Sequence, residues 1–182
     1  MKPKLNLGCG NDIKKDYINL DKYPLDGVDI IHDIEQIPLP FDDDTFEQIL
    51  CNDILEHVDY PRLIIELYRI LKKEGILEIR VPHFTARSNY VDPTHKKLFS
   101  YRTLDFFVKN TKYKLKRPYY YNVAYSKIKT KIIFNKKVFL YNYIIEPIIN
   151  SHHNIKEVYE LTGLCSLFPA KGIIFKLYKE GN

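Results

Sequence analysis

The chain has 182 residues with a formal charge of +5, 45% hydrophobic and 28% charged residues, 7 Gly and 10 Pro. That composition fits one globular domain with a buried core and excludes the collagenous, low-complexity and disordered classes. No apolar run reaches the roughly 20 residues that span a bilayer, and Met1-Lys2-Pro3-Lys4-Leu5 lacks the apolar segment of a secretion leader, so a cytoplasmic protein is expected.

In chain order, Lys4 to Leu7 is short and apolar and runs into Gly8-Cys9-Gly10-Asn11, which predicts a buried strand ending in a tight turn. Tyr17 to Asp21 and Val28 to His32 are two further strands, each ending beside a carboxylate. The turn-rich Pro38 to Asp44 leads to a fourth strand, Phe46 to Cys51. Pro61 then opens a helix carrying Leu63, Ile64, Leu67, Ile70 and Leu71 at helical spacing, which Lys72-Lys73-Glu74-Gly75 ends. Ile76 to Val81 is a strand cut off by Pro82. Beyond it, Leu98 to Val108 predicts a helix, Ala124 to Phe134 and Ile173 to Tyr178 predict strands, and Tyr141 to Ile149 suits either type. Strands alternating with helical segments indicate an α/β domain with a mostly parallel sheet.

Ligands of open α/β sheets sit beyond the carboxyl ends of the strands, which here are Gly8 to Asn11, Asp21, His32-Asp33, Asn52-Asp53 and Pro82-His83. Two glycines after the first strand let a ligand approach the backbone. A carboxylate ending the second strand suits vicinal ribose hydroxyls, and Asp33 suits an exocyclic amine. Cys9, Cys51 and Cys165 are odd in number and at no CxxC spacing, so reduced thiols are expected, and Cys9 reads as a small buried hydrophobe. His152-His153 has no third ligand at a recognisable spacing, and no metal is expected.

The stretches LNLGCGND, INLD, HDIEQIPLPFDDDTFEQILCNDILEHV and LYRILKKEGILEIRVP resemble, in order, the class I S-adenosylmethionine (SAM) dependent methyltransferases, in particular a short, methyltransferase type 11-like subgroup. The resemblance covers residues 4 to 82. It implies a Rossmann-like seven-stranded sheet of order 3-2-1-4-5-7-6 with the last strand antiparallel, and helices on both faces. It also implies SAM as cofactor and S-adenosylhomocysteine as product. Gly8 and Gly10 would line the methionine end, Asp21 the ribose, and Asp33 with the backbone of Ile34 the adenine. Asn6, Cys9 and Asn52 would complete that surface. Asn6 stands where the family usually has an acidic residue, the third glycine is replaced by Asn11-Asp12, and the short Gly8 to Asp16 connection predicts a truncated first helix.

A single domain over residues 1–182 follows, with a SAM-binding half at 4–82 and an acceptor-binding lid at 84–166. In Val91 to Ser100, Asp-Pro starts a turn and Thr94 either caps a helix beginning near His95 or leaves His95 as general base, oriented or supplemented by Asp92 or His83. Residues 1–60 carry 5 basic and 14 acidic side chains, against 23 and 9 in the remainder, and Phe106 to Ile145 has no carboxylate. An anionic small-molecule or glycan acceptor is therefore expected. Aromatics interleaved with lysine keep an RNA or tRNA methyltransferase open, and a non-catalytic SAM-binding protein is a further alternative. A nicotinamide dehydrogenase is disfavoured, since Gly8 to Ile13 fails the G-x-G-x-x-G fingerprint.

Overall fold

The computed structural model describes residues 3–181. Met1 and Lys2, part of the start read above, lie outside the described residues. Seven strands, β1 (Lys4–Leu7), β2 (Ile18–Asp21), β3 (Ile30–Ile31), β4 (Phe46–Asn52), β5 (Leu71–Val81), β6 (Lys127–Ile133) and β7 (Gly172–Tyr178), form one sheet of order β3-β2-β1-β4-β5-β7-β6. Strands β1 to β5 pair in parallel, and β7 runs antiparallel between β5 and β6. The central position of β1 explains its composition, because Leu5 and Leu7 are fully buried and even Asn6 is only 2% exposed.

The three connections from β1 to β4 contain no helix; they are turns. The truncated first helix expected from the sequence is thus absent altogether. Asn19 on β2 gives the physical reason. Its Oδ1 accepts from Lys14 N at 2.9 Å and its Nδ2 donates to Lys14 O at 3.0 Å, taking backbone groups that a helix would have paired. Asn6 donates to Asp12 O at 2.7 Å and to Asn19 Oδ1 at 3.0 Å, which fixes the same loop from beneath.

Helix α1 (Tyr60–Ile70) has proline in its first turn and buries Leu63, Ile64, Leu67 and Ile70. It passes without a loop into β5, whose first residue Leu71 pairs with Phe46, whereas Gln48 pairs with Ile76. Residues 72–75, expected to be the last helical turn, are instead a bulge. Gly75 is required in it, since a Cβ there would stand 2.7 Å from Lys72 O.

The C-terminal part holds α2 (Ser88–Val91), a 3-10 helix (Thr103–Phe107), α3 (Lys112–Lys116), α4 (Asn142–Ser151), α5 (His153–Leu161) and α6 (Leu164–Leu167). The helix expected over Leu98 to Val108 is only the 3-10 turn, and no helix begins at His95. Phe99, Leu104, Phe107 and Tyr125 join the main core with Leu63 and Ile64. Part of the expected acceptor lid is thus anchored in the main core. A second core gathers Tyr101, Ile132, Phe134 and Tyr159. The edge strand β6 is clasped by α4, because Asn150 both accepts from Ile132 N and donates to Ile132 O, at 2.9 and 2.7 Å. No helix of the described residues is long and apolar enough to cross a membrane.

Candidate functional site

Parallel strands bring Gly8 to Gly10, Asp21, Asp33 and Asn52-Asp53 to one edge of the sheet. Gly8 and Gly10 have φ of +62° and +50°. A Cβ on Gly8 would lie 2.2 Å from Ile54 Cδ1, whereas one on Gly10 would meet nothing within 4 Å. Both glycines are needed for their left-handed backbone, Gly8 also packs against Ile54, and Gly10 presents an open face. Asp21 fastens the turn. Its Oδ2 accepts from Gly10 N at 2.8 Å and its Oδ1 from Tyr23 N at 3.0 Å. Asp33 Oδ1 accepts from Glu35 N at 3.0 Å, and Ile34 lines a recess of about 90 Å³ with Val58 and Arg62. Asn52 ends β4 half-buried, opposite Arg80, and Arg80 pairs with Asp53 through Nε at 3.1 Å from Oδ2.

Two expected cofactor residues are occupied otherwise. Asn6 spends its amide nitrogen inside the chain, so it positions the glycine loop. Cys9 is 5% exposed, and burial, followed by the neighbouring Asp21, pushes its thiol pKa up, which makes it a neutral packing group.

A cleft of about 990 Å³ opens beyond the carboxyl ends of β4, β5 and β6. Glu56, His57, Asp92 and His95 line it together with Val138 and Phe139. Arg87 and Lys171 are exposed in it, with no ion pair among the described residues. The lysine-rich Lys112 to Arg117 does not line this cleft. Lys114 Nζ instead donates to Tyr121 O at 2.5 Å, and Arg117 donates to Tyr120 Oη at 2.7 Å. The aromatics there are largely spent within the chain: Tyr121 stacks on Phe107 at 4.3 Å, and the buried Tyr125 donates its hydroxyl to Ile64 O at 3.2 Å.

Hydrogen-bond partners favour the tautomer of His57 that carries its proton on Nδ1. Thr94 Oγ1 donates to Asp92 Oδ1 at 2.6 Å, so it accepts from His57 Nδ1 at 2.8 Å and leaves His57 Nε2 a bare lone pair. Asn89 Nδ2 donates to His83 O at 2.6 Å, which turns its Oδ1 toward His95 Nδ1 at 3.3 Å, while His95 Nε2 lies 3.7 Å from Asp92 Oδ2. The two rings meet edge to face at 4.7 Å. Burial, then the neighbouring His95, holds the His57 pKa below its usual value. Bonds from the Thr94 hydroxyl and backbone hold Asp92 below the usual carboxylate range. Thr94 thus serves Asp92 and His57 and caps no helix.

His83 does not face the cleft. Its ring is fully buried, with Nδ1 2.7 Å from Thr85 Oγ1 and Nε2 3.1 Å from Glu160 Oε1. Glu160 also accepts from Ser100 Oγ and Tyr101 N, so His83 fastens the end of β5 to α5 and reaches His95 only through Asn89.

Sequence reasoning passed over His57 and, above all, Glu56. Its side chain is 1% exposed and neither carboxylate oxygen has a hydrogen-bond partner among the described residues. Burial pushes its pKa up to about 7. The signal was the Leu55-Glu56-His57 triplet directly after β4, quoted above for its resemblance alone.

The strand order, the antiparallel last strand and the glycine turn clasped by a strand-end carboxylate together define a class I methyltransferase fold. Residues 8–79 match the family model described as "Methyltransferase domain". A SAM-dependent methyltransferase from Archaeoglobus fulgidus superposes with a TM-score of 0.62 at 18% identity, over 98% of this chain and 86% of that one. Phosphoethanolamine N-methyltransferase 2 of Haemonchus contortus, solved with SAM, superposes with a TM-score of 0.55 at 13% identity, over 100% of this chain and 49% of that one. An uncharacterised protein of Methanocaldococcus jannaschii is 49% identical over 43 residues, which are 24% of this chain and only 19% of that protein.

Proposed function

We propose that the protein is an enzyme that transfers the methyl group of SAM to a small anionic acceptor bound in the cleft beside Glu56, His57 and His95. The observation that carries this reading is the Gly10 turn, held by Asp21 with its open face toward the strand ends, next to a cleft holding two unpaired cations. Gly8, Gly10 and Asp21 fit a nucleoside with an amino-acid tail, since the turn has no side chain to obstruct it and the carboxylate oxygens retain lone pairs for ribose hydroxyls. By resemblance to the family, Asp33 and the backbone of Ile34 take the adenine. When bound, SAM supplies an already activated methyl group on its sulfonium. The remaining tasks fall to this chain's residues. They must hold the acceptor in line, exclude water and accommodate the acceptor's proton. The half-buried His57 and His95 line the cleft, His57 with its Nε2 open, and Val138 and Phe139 add apolar surface to it. Arg87 and Lys171 suit a phosphate or carboxylate on the acceptor. A reducing, cytoplasmic setting agrees with three free, buried thiols.

Calorimetry with SAM and S-adenosylhomocysteine tests the reading. Wild type should bind both, and Asp21→Ala should weaken binding roughly 30- to 150-fold, or about 2 to 3 kcal/mol. A folded wild type that binds neither sinks the proposal, and equal affinities remove Asp21 from the site.

A further inference from the structure

Glu56, His57 and His95 come from two segments, one following β4 and one following α2, and each offers a donor atom within 4.8 Å of the others. Three features of this cluster point the same way. First, Thr94 and Asn89 engage Nδ1 of the two imidazoles, which leaves Nε2 of each as the ring nitrogen open to an ion, with that of His95 3.7 Å from Asp92 Oδ2. Second, the Glu56 carboxylate is buried with both oxygens unpartnered, an arrangement costly enough that native structures rarely keep it without a counter-charge. Third, each histidine carries a fixed outer partner, Thr94 with Asp92 behind it for His57 and Asn89 for His95, the support that metal-bound imidazoles characteristically have.

We propose that Glu56, His57 and His95 hold one divalent transition-metal ion at the floor of the cleft, with its remaining positions open to water or to oxygens of the acceptor. Two imidazoles and one carboxylate select a borderline ion such as Zn²⁺, Co²⁺ or Mn²⁺ over Ca²⁺, which prefers all-oxygen ligands. Bonds of about 2.0 to 2.2 Å place tetrahedral donors roughly 3.4 Å apart, so side-chain rotations of about an ångström complete the site. Resting on the methyltransferase reading, the ion also narrows the acceptor to a molecule offering it a hydroxyl, with a second oxygen or anionic arm reaching Arg87 and Lys171. The hydroxyl proton passes to cleft water while the oxygen keeps the electron pair on the ion. His95 then acts as a ligand, and the metal takes over the activation.

The test uses the full chain stripped with a chelator and titrated with Co²⁺ alone, read by visible ligand-field absorption. One saturating equivalent is expected, displaced by Zn²⁺. Glu56→Gln and His95→Gln should lose the band, and Thr94→Val, which only frees His57 to turn, should weaken binding roughly 10- to 100-fold. No band in the wild type, or a band unchanged in all three variants, overturns the site. SAM calorimetry on the same samples separates the two ideas: SAM binding without Co²⁺ binding overturns only the metal site, and Co²⁺ binding without SAM binding overturns the methyltransferase reading instead.

Discussion

A carboxylate buried without a partner expresses its cost along the pH axis, and Glu56 is such a group. Below about pH 4.5 it is neutral in both folded and unfolded chains and adds no pH dependence. Between there and about pH 7 the unfolded chain releases its proton while the folded one keeps it, so stability falls as pH rises and then levels off. The loss is about 3 kcal/mol. In the presence of chelator, Glu56→Gln should remove this slope and be the more stable form at pH 8, as judged by urea denaturation across a pH series. Equal slopes for wild type and variant would show that Glu56 has a partner after all. Gly8, Gly10, Asp21 and Asp33 were legible because each ends a strand, where the chain itself announces the site. His83 ends a strand too, yet its partner Glu160 lies 77 residues away, and nothing local in the sequence distinguishes a histidine facing a ligand from one facing a carboxylate of the second core.

Elements were legible where one period held over a whole segment, as in β4, α1, the later part of β5, and β7. They were illegible where a residue satisfied two patterns at once. Leu71 continues the apolar stripe of α1 and also pairs with Phe46 in the sheet, and pairing wins because the strand buries it completely. Helix α1 is anchored to the preceding loop by Glu66, which accepts from Leu39 N at 2.8 Å and from Arg69 Nε at 3.0 Å, while Arg69 also donates to Phe41 O at 2.8 Å. Glu66→Ala should therefore cost about 2 to 3 kcal/mol, since it strands a buried N–H and loosens the guanidinium. Thermal or urea unfolding measures it, and a change below about 0.5 kcal/mol would mean that the loop finds another acceptor. The absent helix between β1 and β2 was only half legible. The shortness of Gly8 to Asp16 was visible, but the capture of the Lys14 backbone by Asn19 requires the fold.

At the scale of the molecule, the acidic first third and the basic remainder meet at the cleft, but the charge that matters there is not the carboxylate-free lysine run. The run is partly neutralised by its own surroundings, as Lys131 and Lys136 both reach Glu146 and Lys109 pairs with Glu180. Arg87 and Lys171 are left to attract an anion. Exchanging both for Ser should weaken binding of a pyrophosphate probe by up to roughly 30-fold at low salt, with the difference shrinking as ionic strength rises. The same exchange of Lys112, Lys114, Lys116 and Arg117 should leave it unchanged, and the reverse pattern would move the acceptor away from the cleft. Finally, a sheet half joined by loops alone has an implication for the order of assembly. Strands β1 to β3 have no helix of their own to nucleate them, and their parallel pairings reward closure only late, whereas α1 runs directly into β5 and β5 meets β7 and β6 as an antiparallel ribbon. The nucleus should therefore form around α1, β5 and β7, and the glycine turn should be the last part to condense and the first to open. Native-state hydrogen exchange would register this as early exchange of the Gly10 and Lys14 amides, well below the global unfolding free energy, and slow exchange across Leu77 to Val81.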